Sequence, residues 1–334
     1  MESPSASDER RTKHSPVLTL PTEMVAEIFV HFLPVYPLCP PLVGLESPAL
    51  LTQICHPWRE IALATPVLWR AISLSFDRNS SFEHQVSSFE HQVEISDSWL
   101  GRSRSLPLSI RVDAPTIPIS PFFARIIPHR QRWEYLHIRC GVATFALELV
   151  AIGGPMPLLR CLDLSLAHAT PDLVVVFKDT PLLNTALLNY YAAMLTLPWA
   201  QLTSLTLNTV SAYACFPVLR SACNLVHCDL FVARNYVDSQ APSVTLPRLT
   251  SLVFNVPNID NFGLGGVLIL PALRDLTTVD RIRNFVPIPT LTAFIARAGC
   301  TKLEEVCVAD TSVVSEEQYR AAFPSIRAFT FIGR

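Results

Sequence analysis

Pro198-Trp199-Ala200-Gln201-Leu202-Thr203-Ser204-Leu205-Thr206-Leu207 holds the pattern on which the fold turns. Its leucines are spaced apolar-x-x-apolar-x-apolar. The last two stand two residues apart, the period of a strand with one buried face. The pattern returns downstream as Leu225-x-x-Cys228-x-Leu230, Leu249-x-x-Leu252-x-Phe254 and Leu273-x-x-Leu276-x-Thr278, then as Leu303-x-x-Val306-x-Val308 and Ile326-x-x-Phe329-x-Phe331. Upstream it occurs as Trp133-x-x-Leu136-x-Ile138 and Leu159-x-x-Leu162-x-Leu164, with a poorer copy at Leu183-x-x-Ala186-x-Leu188. Pro157, Pro181, Pro198, Pro247, Pro271 and Pro324 each precede a copy by a few residues and mark the turn into a strand.

Successive copies start 26, 24, 19, 23, 24, 24, 30 and 23 residues apart, mostly within the 20–29 residues of leucine-rich repeats. Strands stacked between like neighbours bury their alternate residues, which accounts for a charged fraction of only 16%. The expectation is an α/β fold in which residues 105–334 form an irregular leucine-rich-repeat-like solenoid. The alternative is another layered α/β domain with many short strands. Three places after the last leucine, where such repeats carry Asn or Cys, stand Ala167, Val210 and Ala233, so no internal side-chain ladder is expected. In parallel stacking, the residues between the paired apolar positions line one open face. These are His137, Asp163, Thr206, Asp229, Val253 and Thr277, followed by Cys307 and Thr330. The first six are candidates for contact with a target protein, or are simply solvent-facing strand residues.

The amino-terminal quarter reads differently. Val25, Ile28, Phe29 and Phe32 fall at i, i+3, i+4 and i+7, an apolar stripe on a helix, with Thr22 as the expected cap. Five prolines between Pro34 and Pro48 specify a loop. Ser47-Pro48 is a cap followed by a first-turn proline, opening a second helix in which Leu51, Ile54 and Cys55 share a face. Pro57 breaks that helix and starts a third, with Trp58, Ile61 and Ala62 facing inward. Thr65-Pro66 leads through Leu68 and Trp69 into a strand at Ile72 to Phe76.

Taken in order, three blocks resemble an F-box, of the F-box-like type common in mushroom-forming fungi. They are Leu20-Pro21 with its acidic amphipathic helix, Cys55-His56-Pro57-Trp58-Arg59, and Thr65-Pro66-Val67-Leu68-Trp69. The resemblance covers residues 17–76. It departs from the pattern in a longer loop between the first two helices and in Pro57, where a basic or polar residue is usual. It implies docking on the adaptor subunit of a cullin–RING ubiquitin ligase, with Leu20, Pro21, Val25, Ile28, Phe29, Trp58 and Trp69 as the contacting residues. Trp58 and Trp69 could equally be internal core. The implied function is substrate recognition for that ligase, in the cytoplasm or nucleus. The alternative is a non-ligase leucine-rich scaffold with a degenerate F-box.

Between the two parts, Ser81-Phe82-Glu83-His84-Gln85-Val86-Ser87 repeats as Ser88-Phe89-Glu90-His91-Gln92-Val93-Glu94, within an expected helix running to Leu100 in the linker 77–104. Residues 1–16, rich in Ser, Pro and charge, are expected to be disordered and not secretory. A formal charge of −2 gives no general attraction to nucleic acid or anionic membrane. The uncharged stretch from Thr180 to Leu219 is interrupted too often by Asn, Gln and Pro to be a membrane span. Nine cysteines lack any CxxC pair. Cys223, His227 and Cys228 lack a second ligand pair at a zinc spacing, so buried free thiols are expected, with no metal or cofactor. Ten glycines make no phosphate loop, no hydrolase elbow or metalloprotease motif occurs, and Asp172, Asp179 and Asp310 lack a nearby acid or histidine partner. The chain is therefore read as a non-enzyme.

Overall fold

The computed structural model describes residues 20–74, 81–114, 119–141, 154–166, 176–177, 179–189, 195–210, 212–232, 243–255, 267–279, 287–309 and 314–332. Expectations for residues 1–19 and for Phe76, Ala167, Asp172, Ala233, Gly263 to Gly266 and Asp310 fall outside these. The described chain is mixed α/β, built on one eleven-stranded sheet. Its strands are β1 (Ala71–Leu74), β2 (Leu108–Ala114), β3 (Trp133–Cys140), β4 (Cys161–Leu166), β5 (Thr185–Asn189), β6 (Ser204–Val210), β7 (His227–Val232), β9 (Ser251–Asn255), β11 (Asp275–Val279), β12 (Glu305–Ala309) and β13 (Ala328–Ile332). They lie in chain order and every pairing is parallel. β8 (Val244–Thr245) and β10 (Leu268–Ile269) form a separate parallel pair.

Each leucine pattern becomes one strand, including the poorer copy, whose Ala186 is fully buried in β5. The chain enters five of the eleven strands through a four-residue proline turn closed by a backbone hydrogen bond. Leu159 N–H donates to Met156 carbonyl, Leu183 to Thr180, Leu249 to Leu246, Leu273 to Leu270 and Ile326 to Phe323. In each, proline is the second residue, where its fixed φ suits the turn and its missing N–H is not needed. The first and fourth turn residues are mostly buried (Met156, Leu159, Leu246, Leu249, Leu270 and Leu273 among them), so each turn pins the chain to the core on both sides. Beyond the turns the backbone repeats itself. Asn184 and Thr185 N–H share the Arg160 carbonyl, Thr203 and Ser204 that of Asn184, Val226 and His227 that of Thr203, and the series continues to Arg327 and Ala328 on Glu304.

Strand alternation sends Ile72, Ile110, Leu136, Leu162, Ala186, Leu205, Cys228, Leu252, Leu276, Val306 and Phe329 into one buried row. At the missing Asn/Cys position, Val210 is simply buried. Polar clamps occur elsewhere: Asn189 brackets both backbone groups of Leu166, and Gln201 Nε2 donates to the Thr180 and Leu183 carbonyls at 2.6 and 2.8 Å.

Spacing between copies decides what fills the return path. The 19-residue interval holds only a 3₁₀ turn at Trp199–Gln201 among its described residues, while the 30-residue interval holds a 12-residue α-helix.

The helices are α1 (Thr22–Phe32), α2 (Leu51–Ile54, preceded by a 3₁₀ turn at Pro48–Leu50), α3 (His56–Ala64), α4 (Phe82–Arg102), α5 (Ser120–Ile126), α6 (Ala212–Ser221), α7 (Pro287–Ala298) and α8 (Glu316–Ala322). Ser315 and Gln318 close a reciprocal capping box on α8. The duplicated heptads lie on α4, which buries Gln85, Phe89, Val93, Ser96 and Trp99 while His84 and His91 stay exposed. No helix among the described residues is long and apolar enough to cross a membrane.

Ser47 caps as expected, its hydroxyl accepting from Ala49 N–H and donating to the Leu42 carbonyl. Two local expectations are corrected. Pro21, not Thr22, occupies the cap of α1, and its carbonyl accepts from Met24 and Val25 N–H. The second helix has only four α residues, and Ile54 leaves the Leu51 face for solvent because extended Cys55 ends the turn just before Pro57. β1 joins the large sheet, so the amino-terminal helices share one continuous apolar core with the strands.

Trp58 tests this packing. Its ring meets Phe29 edge-on at 5.0 Å, yet its buried indole N–H has no acceptor among the described residues. Trp58→Phe keeps the ring contact and removes a stranded donor that costs about 1–3 kcal/mol. Urea unfolding is therefore expected to show stability unchanged or raised.

Candidate protein-interaction surfaces

Two surfaces lie open on this frame. The first is the outer side of α1. Leu20 (39% exposed), Met24 (55%), Ile28 (47%) and Phe32 (41%) recur every four residues and form an uncovered apolar strip. The expected single stripe of Val25, Ile28, Phe29 and Phe32 thus divides. Val25 and Phe29 turn inward, 3% and 1% exposed, and Phe29 packs on Trp58. Pro21 is exposed at the helix start, and Trp58 is half-buried. Val25, Phe29 and Trp69 are buried in the chain's own core, which for Trp69 is the internal reading the sequence left open. Trp69 is fully buried, its indole N–H donates to the Ala62 carbonyl at 2.9 Å, Trp99 meets it edge-on at 5.3 Å, and the Arg102 guanidinium lies 4.7 Å from its ring centre.

The second surface is the polar side of the sheet. Register places Ser73, Arg111, His137, Asp163, Leu187, Thr206, Asp229, Val253, Thr277, Cys307 and Thr330 in one row across all eleven strands. All six residues read from the sequence are members and partly covered, and all but Thr277 stand between two buried neighbours. His137 Nδ1 and Asp163 Oδ2 approach to 2.5 Å, and Thr206 Oγ1 donates to Asp229 Oδ2 at 3.4 Å. Burial raises the Asp229 carboxyl, against the lowering influences of the Thr206 bond and His227. Charge gathers on the first strands of this side: Arg139 pairs with Asp113 at 3.8 Å beside Arg111 and the His137–Asp163 pair.

The proline loop, read from the sequence only as a break, closes that charged end. Tyr36 hydroxyl donates to Glu134 Oε2 at 3.0 Å, its ring meets Tyr135 edge-on, and the Arg70 guanidinium sits 3.7 Å from the ring centre. Burial first, then the Glu134 bond, pushes the Tyr36 phenol far above its ordinary range. Ser109 Oγ donates to the Pro37 carbonyl at 2.7 Å, and Pro41 bridges to Ser73. Between loop and strands lies a cleft of about 650 Å³ whose lining includes Phe32, Leu38, Pro40, Glu46, Ser73 and Arg111. It joins the end of the α1 strip to the start of the polar row. Met24, Arg111 and the Tyr36 contacts were missed in the sequence. Only the i, i+4 spacing of Met24 from Leu20 and Ile28 gave a signal there.

His227 and Cys228 are adjacent in β7 and therefore point to opposite faces, so they cannot ligate one metal together. Cys228 is buried and His227 exposed. All nine cysteines are free thiols, and Cys223 is the exposed one. Burial raises Cys39, Cys161 and Cys300 to about 11 and Cys215 to about 12, from an ordinary 9.0. The folded chain holds these protons more tightly than the unfolded chain. Their stabilising contribution is thus complete below about pH 9 and declines as pH rises through 11–12. Thermal melts are expected to fall progressively above pH 9. Native-state alkylation followed by peptide mapping is expected to label Cys223 first and Cys215 and Cys228 last.

Compared with known protein families and with curated proteins, the chain matches none.

Proposed function

We propose that this chain is a substrate receptor of a cullin–RING ubiquitin ligase, with an F-box-like helical module docking on the ligase adaptor and a leucine-rich-repeat-like solenoid holding the target. The observation that carries the reading is the strip Leu20, Met24, Ile28 and Phe32, left open on a helix whose opposite side is locked by Phe29 and Trp58. An apolar strip of this kind on an anchored helix suits a partner that supplies the missing cover. The ordered sequence blocks from Leu20 to Trp69 point to the same partner. The target is read as lying along the polar row, with its charged determinants over β2 to β4 beside the cleft. The mechanism is proximity: the receptor raises the effective concentration of target lysines near the conjugating enzyme and makes no bond itself. It needs no cofactor and works in the cytoplasm or nucleus.

A second reading is a leucine-rich scaffold with a degenerate F-box. It is favoured by the internal use of Val25, Phe29 and Trp69, which reduces the area offered to an adaptor. Size-exclusion chromatography of the full chain with purified adaptor separates the two. Co-elution at micromolar concentration supports the receptor, and separate elution leaves the scaffold.

A further inference from the structure

We propose that the chain is built to escape the modification it directs, by carrying almost no lysine on its surface. This rests on the receptor reading above. The sequence has 23 arginines but only three lysines, Lys13, Lys178 and Lys302, in 334 residues. Lysine is ordinarily among the commonest residues, so the shortage is specific to one of two residues that supply the same charge. Lys13 and Lys178 lie outside the described residues, and Lys302 is exposed in the turn before β12.

Geometry explains some of the arginines. Arg132 donates from Nε to the Leu106 carbonyl and from Nη2 to Ser103 Oγ, a two-nitrogen grip that an ammonium cannot make. Arg70 and Arg102 stack over aromatic rings. Geometry does not explain Arg59, Arg104, Arg220 and Arg248. They are exposed, with neither an ion pair nor a side-chain hydrogen bond among the described residues. Lysine would serve solvation equally well at these sites, yet arginine fills every one.

The difference between the two side chains is nucleophilic. A deprotonated lysine ε-amine attacks the thioester carbonyl that links ubiquitin to the conjugating enzyme's cysteine. The C–N bond forms as the C–S bond breaks, and the departing sulfur takes up the proton the nitrogen releases. A guanidinium stays protonated in proteins and offers no such lone pair. A receptor is held as close to the charged conjugating enzyme as its target is, at an effective concentration of about millimolar. Every exposed lysine on it would compete with those of the target and mark the receptor for destruction. Arginine at the same positions keeps charge and solubility without becoming an acceptor.

The test reconstitutes the full chain with adaptor, cullin, RING subunit, activating and conjugating enzymes and ubiquitin, and follows conjugation onto the chain itself. The wild type is expected to be modified slowly, and mass spectrometry is expected to place the described site at Lys302. The charge-preserving triple variant Arg104→Lys, Arg220→Lys, Arg248→Lys is expected to melt at the wild-type temperature and to be modified about threefold faster or more. Equal rates for the two, with the adaptor co-eluting, would overturn this inference and leave the receptor reading intact. Absence of the complex itself overturns both, and is seen at the chromatography step before any conjugation.

Discussion

Ile28→Asp combined with Pro21→Ala is expected to weaken capture of the ligase adaptor about a hundredfold or more while leaving thermal unfolding near wild type. Ile28 is 47% exposed and Pro21 lies outside the core, so neither substitution opens a cavity. A carboxylate at the centre of the strip must be desolvated without a counter-charge when a partner closes over it. That costs roughly 3 kcal/mol or more, two orders of magnitude in affinity. Val25→Ala is the contrasting case, since it cuts into the core and lowers stability first. Calorimetric titration of purified adaptor against the double variant gives the measurement. Undiminished affinity would remove α1 from the interface and with it the receptor reading.

Trp69→Ala is expected to destabilise the fold by about 3–5 kcal/mol, the range for a buried aromatic truncated to alanine. The substitution loses the Ala62 hydrogen bond and the contacts to Trp99 and Arg102 together. It also leaves the Ala62 carbonyl without its indole donor at a site with no exposure. The effect appears as a lower urea midpoint with the slope retained. Trp69→Phe keeps most of the apolar contact and forfeits the hydrogen bond, so it falls between. A change below about 1 kcal/mol for the alanine variant would contradict the packing of α3 and α4 around this ring.

The nine repeat strands were legible from a period of two, reinforced at six of them by a preceding proline. Ala186 shows how strong that coincidence is: a weak residue still takes its place in the buried row because Leu183 and Leu188 flank it and Pro181 sets the turn. The orientation of α1 was not legible. Met24, Val25, Ile28, Phe29 and Phe32 leave too narrow a polar side for periodicity to choose which apolar edge faces in, and the choice falls to Trp58 and the packing beneath it. Trp69 reads from sequence equally as partner contact or internal core, and α4, arriving thirty residues later to cover it, makes it core. The loop was opaque for a related reason. Its hold on the sheet runs through Tyr36 and Glu134, 98 residues apart, and Pro37 and Ser109, 72 apart. No local pattern announces such contacts.

Single-file ordering of the strands turns position along the sheet into distance. Eleven strands at about 4.8 Å intervals extend roughly 48 Å from first to last. The proline loop clamps the helical end to the near edge, so that span works as a graduated ruler with its zero mark fixed at α1. A body resting over β3 and one resting over β12 would present different parts of themselves to anything docked on α1. Moving a contact by one strand would shift that reach by less than the length of a single lysine side chain.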